Sequence, residues 1–226
     1  MRLLKCVSTA LIMCGFGLFQ GLSATDAAAK TKRYGSFFYH SKKQDALFLN
    51  GPITLQSAGD LKKALWHHPR VRVIYLNSGG GKVKGGLEAA DIIYDRQIAT
   101  VITKKGRCYS SCAFLYFAGQ SRTAKGRLGV HQMTRDDDLV RLGSAQSLIS
   151  HLVAAMNKFD VDPRVTEIML RTPNQSMHVF SKREIARFGI NEKPKRKVAS
   201  SRYKFISPKP VAQDNDTGVR IWSPGK

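Results

Sequence analysis

The sequence is short of acid, of cysteine and of long apolar runs, and it lacks the common nucleotide and redox signatures. Sixteen Asp and Glu stand against 37 Lys and Arg, a formal charge of +21 on 226 residues. Such an excess draws a chain toward anionic surfaces or polymers and says nothing of its fold. No stretch supplies the roughly 20 solidly apolar residues of a spanning helix. The apolar run from Cys6 to Phe19 is broken by Ser8, Thr9 and glycine. A phosphate loop needs Gly, four residues, then Gly-Lys-Ser/Thr, but Gly81 is followed by Gly86-Leu87-Glu88; the dinucleotide pattern fails because Gly79-x-Gly81 leads to Lys84. Cys108 and Cys112 are separated by three residues, so the redox-active Cys-x-x-Cys spacing is absent, and no further ligands mark a zinc site.

With 42% apolar and 23% charged residues, the chain has enough material for one sizeable core. Disorder, collagen-like sequence and a multi-domain assembly are excluded, and there is no internal repeat. Arg2 and Lys5 precede the apolar run, and Leu22-Ser23-Ala24 is a small-residue cleavage pattern, so residues 1–24 read as a secretory signal peptide. Cleavage after Ala24, or after Ala29, removes Cys6 and Cys14 and leaves Cys108 and Cys112, an even count in an oxidising compartment. The expected location is periplasmic or secreted. Because the leader carries just two of the basic residues, the working protein stays strongly basic.

Residues 25–44 are expected to be a flexible lead-in, 45–191 the folded domain, and 192–226 a basic tail with four prolines that reads as solvated. Within the domain, short β-rich runs (Ala46 to Leu49, Val71 to Leu76, Ala99 to Thr103, Leu128 to His131) alternate with helical spacing. The helical segments are Gln56 to His67, Gly86 to Gln97, a stretch beginning near Ser110, Ser144 to Phe159, Pro163 to Arg171 and Ser181 to Phe188. Pro163 sits in a first helical turn, Ser181 and Glu184 have capping-box spacing, and Gly189 stops the last helix. The fold class is α/β, with repeated strand-helix units and a largely parallel sheet flanked by helices.

Three segments carry chemistry. Asn77-Ser78-Gly79-Gly80-Gly81 closes a predicted strand, where it is either a plain tight turn or a row of backbone N–H donors. Gly106-Arg107-Cys108-Tyr109-Ser110-Ser111-Cys112 leads into an apolar helix. A serine there is either an N-cap or a nucleophile beside free helix-start N–H groups. Val130-His131-Gln132 ends a strand with an imidazole able to take a proton near neutral pH. Asp136-Asp137-Asp138 reads as a solvated loop rather than a metal site, and His67-His68 as a helix end.

In this order, Asn-Ser-x-Gly-Gly after a strand, Gly-x-x-x-Ser opening a helix, and Val-His-Gln after a strand resemble the proteolytic subunit of Clp proteases and its crotonase-superfamily relatives. The resemblance runs from about Leu47 to Ile190, including Phe180-Ser181 to Phe188-Gly189. It implies the crotonase-like fold, Ser110 as nucleophile, His131 as general base, and the N–H groups of Gly81 and Ser111 as oxyanion hole. It also implies a peptide or protein substrate, no cofactor or metal, and a possible homo-oligomer, since family members often form trimers or rings.

Two departures qualify it. The family's triad aspartate lies four residues before the serine matching Ser181, and here that residue is Met177, which cannot orient imidazole. Asn174, Gln175, Ser176, Asp160 and Asp162 are neighbours that offer hydrogen-bonding groups. Cys108 and Cys112 bracket Ser110 where the family has small residues. A disulfide between them is strained if both lie on one helix and relaxed if Cys108 lies in the turn. The expected function is an exported, ATP-independent Clp-like serine hydrolase. A catalytically degenerate binding or scaffold module is the alternative, and crotonase-type thioester chemistry is disfavoured by export away from coenzyme A. Export argues against nucleic acid, so the basic tail points to anionic envelope surfaces.

Overall fold

The structure, a computed structural model, describes residues 30–133 and 142–191. The predicted leader, the basic tail and Asp136-Asp137-Asp138 lie outside the described residues. In chain order the elements are β1 (Thr31–Tyr34), β2 (Phe37–His40), β3 (Ala46–Asn50), α1 (Ser57–His67), β4 (Val73–Asn77), α2 (Val83–Asp95), β5 (Ala99–Ile102), β6 (Arg107–Tyr109) and α3 (Cys112–Phe117). They continue with β7 (Arg122–Ala124), β8 (Arg127–Val130), α4 (Leu142–Lys158), α5 (Pro163–Arg171), β9 (His178–Val179) and α6 (Lys182–Arg187).

Period-two burial builds the main sheet. Leu47 and Leu49 of β3, Ile74 and Leu76 of β4, and Thr100 and Ile102 of β5 are all buried, while Phe48, Tyr75 and Val101 between them are half-buried. The strand order is β1-β2-β3-β4-β5-β7; β3, β4, β5 and β7 run parallel, and β1 and β2 add antiparallel strands at one edge. Helices α1, α2 and α3 pack side by side, α1 against β2 and α3 against β5. A smaller sheet joins β6 and β8 in parallel and β8 and β9 antiparallel. A parallel bridge between Ser78 and Cys108 ties it to the end of β4. The architecture is therefore mixed α/β, with a mostly parallel sheet flanked by helices.

The later helices begin where their caps require. Asp162 accepts from the Arg164 N–H at 2.9 Å with Pro163 following it, and the Ser181–Glu184 capping box is closed in both directions. Gly189, at φ +58°, ends the last turn. At the domain's end the Asn191 Oδ1 accepts from the Ala124 N–H and from the Tyr116 hydroxyl, both at 2.8 Å. Burial raises the Tyr116 pKa, so its hydroxyl remains a donor.

Of the flexible lead-in expected over residues 25–44, the described part from residue 30 onward is corrected by the β1–β2 hairpin. Phe37 is fully buried and Tyr34 nearly so, and both belong to the main core. On the opposite face Phe38 stacks on Phe48, and Phe48 on Tyr75, with centroids 5.4 and 5.1 Å apart. Each strand has four residues, too few for period-two spacing to stand out without the neighbour that covers it. His68, just past the end of α1, stacks on Tyr39 at 3.6 Å and shares a hydrogen bond with the Tyr34 hydroxyl, so the helix-end histidines clamp this hairpin. Phe37→Ala is expected to lower stability by about 3–5 kcal/mol in denaturant unfolding; a loss below about 1 kcal/mol would mean that the hairpin is not part of the cooperative core.

Candidate active site

Parallel strands present their C-terminal ends along one edge of a sheet, and loops leaving those ends meet there. β6 and β8 are parallel, and the bridge from Ser78 to Cys108 aligns the end of β4 with them. The three chemical segments leave these three strand ends: Ser78 to Gly81 after β4, Ser110 and Ser111 after β6, and His131 after β8. They meet at one cavity of about 30 Å³. Gly81, Ser110, Ser111 and His131 supply its polar wall, and Val83, Phe114, Val130, Met133 and Met169 the apolar remainder. A space of this size has room for water rather than for a side chain of any bulk.

Ser110 occupies the turn from β6 into α3 with φ +54°, a left-handed conformation uncommon for a residue with a Cβ. Its N–H donates to the Gly129 carbonyl at 3.1 Å, and its own carbonyl accepts from the Ala113 N–H at 2.8 Å. The Ser78 N–H donates to the Arg107 carbonyl, and the Tyr109 N–H to the Ser78 carbonyl. The Ser110 turn and the glycine loop are thereby laced together. Gly80, at φ +98°, is the contact point: a Cβ there would lie 2.7 Å from both the Ser110 Cβ and the Tyr109 carbonyl oxygen. The buried Ser78 hydroxyl accepts from the Gly80 N–H at 3.1 Å.

On the loop's other flank, Ile53 donates to the Gly80 carbonyl and accepts from the Lys82 N–H, both at 2.9 Å. In a parallel bridge this arrangement turns the N–H of the intervening Gly81 away from Ile53. Gly81 has φ +145°, and a Cβ there would lie 2.0 Å from the Ile53 carbonyl oxygen, so glycine is required. Among the described residues neither the Gly81 N–H nor the Ser111 N–H has an acceptor. Two cavity-lining donors from separate loops are thus available to a developing negative charge.

Burial lowers the His131 pKa below the usual imidazole value, and the Asn174 backbone opposes part of that shift. The Asn174 group nevertheless makes no hydrogen bond to Nδ1, which is buried and without a partner among the described residues. Of the expected third members, Asp162 is engaged as the cap of α5 and bonded to the Arg164 guanidinium. Gln175 and Ser176 are exposed, and Asp160 lies in the turn between α4 and α5. Met177 covers Gly129: a Cβ on that glycine would lie 2.9 Å from the Met177 Cγ and Sδ. Apolar atoms therefore pack against the strand that carries His131.

Cys108 and Cys112 form a disulfide with Cα atoms 5.2 Å apart, both fully buried. Cys108 lies in β6 rather than in α3, the arrangement in which the bridge spans the turn without strain from parallel side-chain directions. Two features had no visible signal in the sequence: the left-handed Ser110 backbone, and the Ser111 hydroxyl, which is buried without a partner among the described residues. Among the described residues no three His, Cys, Asp or Glu side chains gather as a metal-ligand set.

No protein-family model matches the chain, and no curated protein matches it. Among solved structures it is similar to a point mutant of ClpP1 from Listeria monocytogenes, with 20% sequence identity over 66% of this chain and 90% of that chain and a TM-score of 0.49.

The surroundings of His131 set its titration. With the folded pKa depressed, the imidazole is neutral at pH 7. The stability it contributes is complete above the unfolded value near 6.5 and declines as the pH falls through the folded pKa. An NMR titration of His131 is expected to show a midpoint below 6.5; a midpoint above 6.5 would place a charge partner at the ring.

Proposed function

We propose that the chain is an exported serine hydrolase of Clp-like organisation that cleaves peptide bonds without ATP through an acyl-enzyme on Ser110. The observation that carries this reading is the shared cavity: a serine held on a strand-to-helix turn, an imidazole from a neighbouring strand end, and two N–H donors from separate loops. In this mechanism the Ser110 hydroxyl adds to the carbonyl carbon while His131 takes its proton. The resulting oxyanion lies between the N–H groups of Gly81 and Ser111, where one such donor is worth roughly 10²–10³ in kcat. Collapse of the adduct expels the amine, which receives the proton from His131. Water, deprotonated by His131, then adds to the acyl-enzyme and releases the carboxylic acid and free Ser110.

Depression of the His131 pKa favours this cycle, because it keeps the imidazole in its basic form at neutral pH. Export is supported by the leader pattern and by a buried disulfide, a bond at home in oxidising compartments. Across the membrane no cytoplasmic ATP-driven unfoldase is at hand, so activity is independent of ATP. The basic tail would hold the enzyme to anionic envelope surfaces, and assembly into a homo-oligomer follows from the Clp resemblance.

A second reading, a binding module that has lost catalysis, is favoured by one specific observation. Among the described residues the Nδ1 of His131 has no carboxylate, and Met177 stands at the position of the missing acid. Loss of the acid costs a serine-protease triad about 10⁴ in kcat. The two readings part on a fluorophosphonate probe. The hydrolase is expected to be labelled at Ser110, to lose labelling in Ser110→Ala, and to slow by roughly 10²–10⁴ in His131→Ala. The rate should rise with pH through the depressed His131 pKa and level off by about pH 7. No labelling of folded protein at any pH between about 6 and 9 would establish the binding module instead.

A further inference from the structure

We propose that the Cys108–Cys112 disulfide is a positioning element of the nucleophile turn, so that Ser110 gains its reactive geometry when the pair is oxidised. This rests on the hydrolase reading above and adds a condition to it. A non-glycine residue stays in the left-handed region when its surroundings over-determine it, and Ser110 stands there at φ +54°. The disulfide closes a ring over residues 108–112 in which Ser110 is the middle residue, so the bond constrains the dihedral that is out of the ordinary.

The two ends of the bridge are also fixed to different parts of the site. Cys108 pairs with Leu128 of β8, the strand that delivers His131, and bridges to Ser78 in the loop that delivers Gly81. Cys112 begins α3, every residue of which is buried. The covalent link therefore joins the nucleophile turn to both neighbouring site loops and to the core. Without it, Ser110 is held through one hydrogen bond on its N–H, one on its carbonyl, and contact with Gly80. Those contacts leave the turn free to relax toward the right-handed conformation that continues into α3.

Closing the bond converts two thiols into a disulfide and passes two electrons and two protons to a disulfide oxidant, which leaves as a dithiol. Oxidants of that class act in the compartments where disulfides form and persist. Full burial of both sulfur-bearing residues denies access to the attacking thiolate that reopening requires. The bond is accordingly a one-way activation step rather than a reversible sensor. A chain that has not yet been oxidised holds Ser110 in an unreactive turn.

The test uses the full chain in four states: oxidised, reduced under mild denaturant and returned to buffer with reductant, re-oxidised, and carrying Cys108→Ala with Cys112→Ala. Circular dichroism verifies the fold of each, and the reactions are run well below each melting temperature. The reduced form and the alanine pair are expected to react with a fluorophosphonate roughly 5- to 100-fold more slowly than the oxidised form. The pH midpoint should be unchanged, because the surroundings of His131 are intact, and re-oxidation should restore the rate. Hydrogen exchange at the Ser110 N–H, which donates to Gly129, should accelerate in parallel. If the reduced protein does not hold its fold, the alanine pair decides the matter by the same two measurements. Equal labelling and unchanged exchange in a folded form without the bond would overturn the proposal. Absence of labelling in every form would sink the hydrolase reading, and the exchange result alone would then decide whether the bond holds the turn.

Discussion

Ser110 is held in a backbone conformation it would not adopt unaided, and much of the local structure serves that constraint. A left-handed serine at the end of β6 needs flat backbone beside it, and Gly80 supplies this: a single added methyl would stand 2.7 Å from the serine's Cβ. It needs a fixed acceptor for its N–H, which is the Gly129 carbonyl in the strand just before His131. It also has a covalent closure around it. The same few contacts that set the serine therefore set its distance from the glycine loop and from the imidazole. Geometry of this kind is stored strain, found where the surroundings impose it.

The parallel arrangement explains why segments far apart in the chain converge. Each of the three site loops leaves the C-terminal end of a strand, and the strands run the same way, so their ends share one edge. The apolar rows beneath, among them Leu47, Ile74, Leu76 and Ile102, are fully or almost fully buried and fix the main sheet against its helices. Side chains in a close-packed interior have little freedom to shift, which lets short loops hold fixed positions at the sheet's edge.

Legibility in the sequence followed the reach of the interactions. Local ones were readable: Pro163 and the Ser181–Glu184 pair marked helix starts, and short β-rich runs marked β3, β4 and β5. The convergence of residues 81, 110, 111 and 131 was implied by the family resemblance that three ordered motifs carry, and their catalytic roles remain the proposal argued above. The β1–β2 hairpin was read as a lead-in because Phe37 declares itself as core only once helices and β3 close over it. The φ of Ser110 was invisible for the same reason: Gly80 and Gly129, which stand against it, are distant in the chain. Met177 was visible as a missing acid, but its place over Gly129 depends on the register of β9 against β8.

Under the proposed function the arrangement is a serine-hydrolase centre short of its acid, with unusual reinforcement. The imidazole is kept neutral by burial and, among the described residues, lacks a carboxylate at Nδ1. In exchange, the Ser110 turn carries a covalent brace. The central claim is that Ser110, His131 and two main-chain donors act on one carbonyl. The most direct measurement is a crystal structure of the protein phosphonylated on Ser110. The account predicts a phosphoryl oxygen about 2.7–3.1 Å from the backbone nitrogens of Gly81 and Ser111, with the His131 ring beside the modified oxygen. An adduct whose phosphoryl oxygen faces solvent while both N–H groups stay unengaged would contradict it.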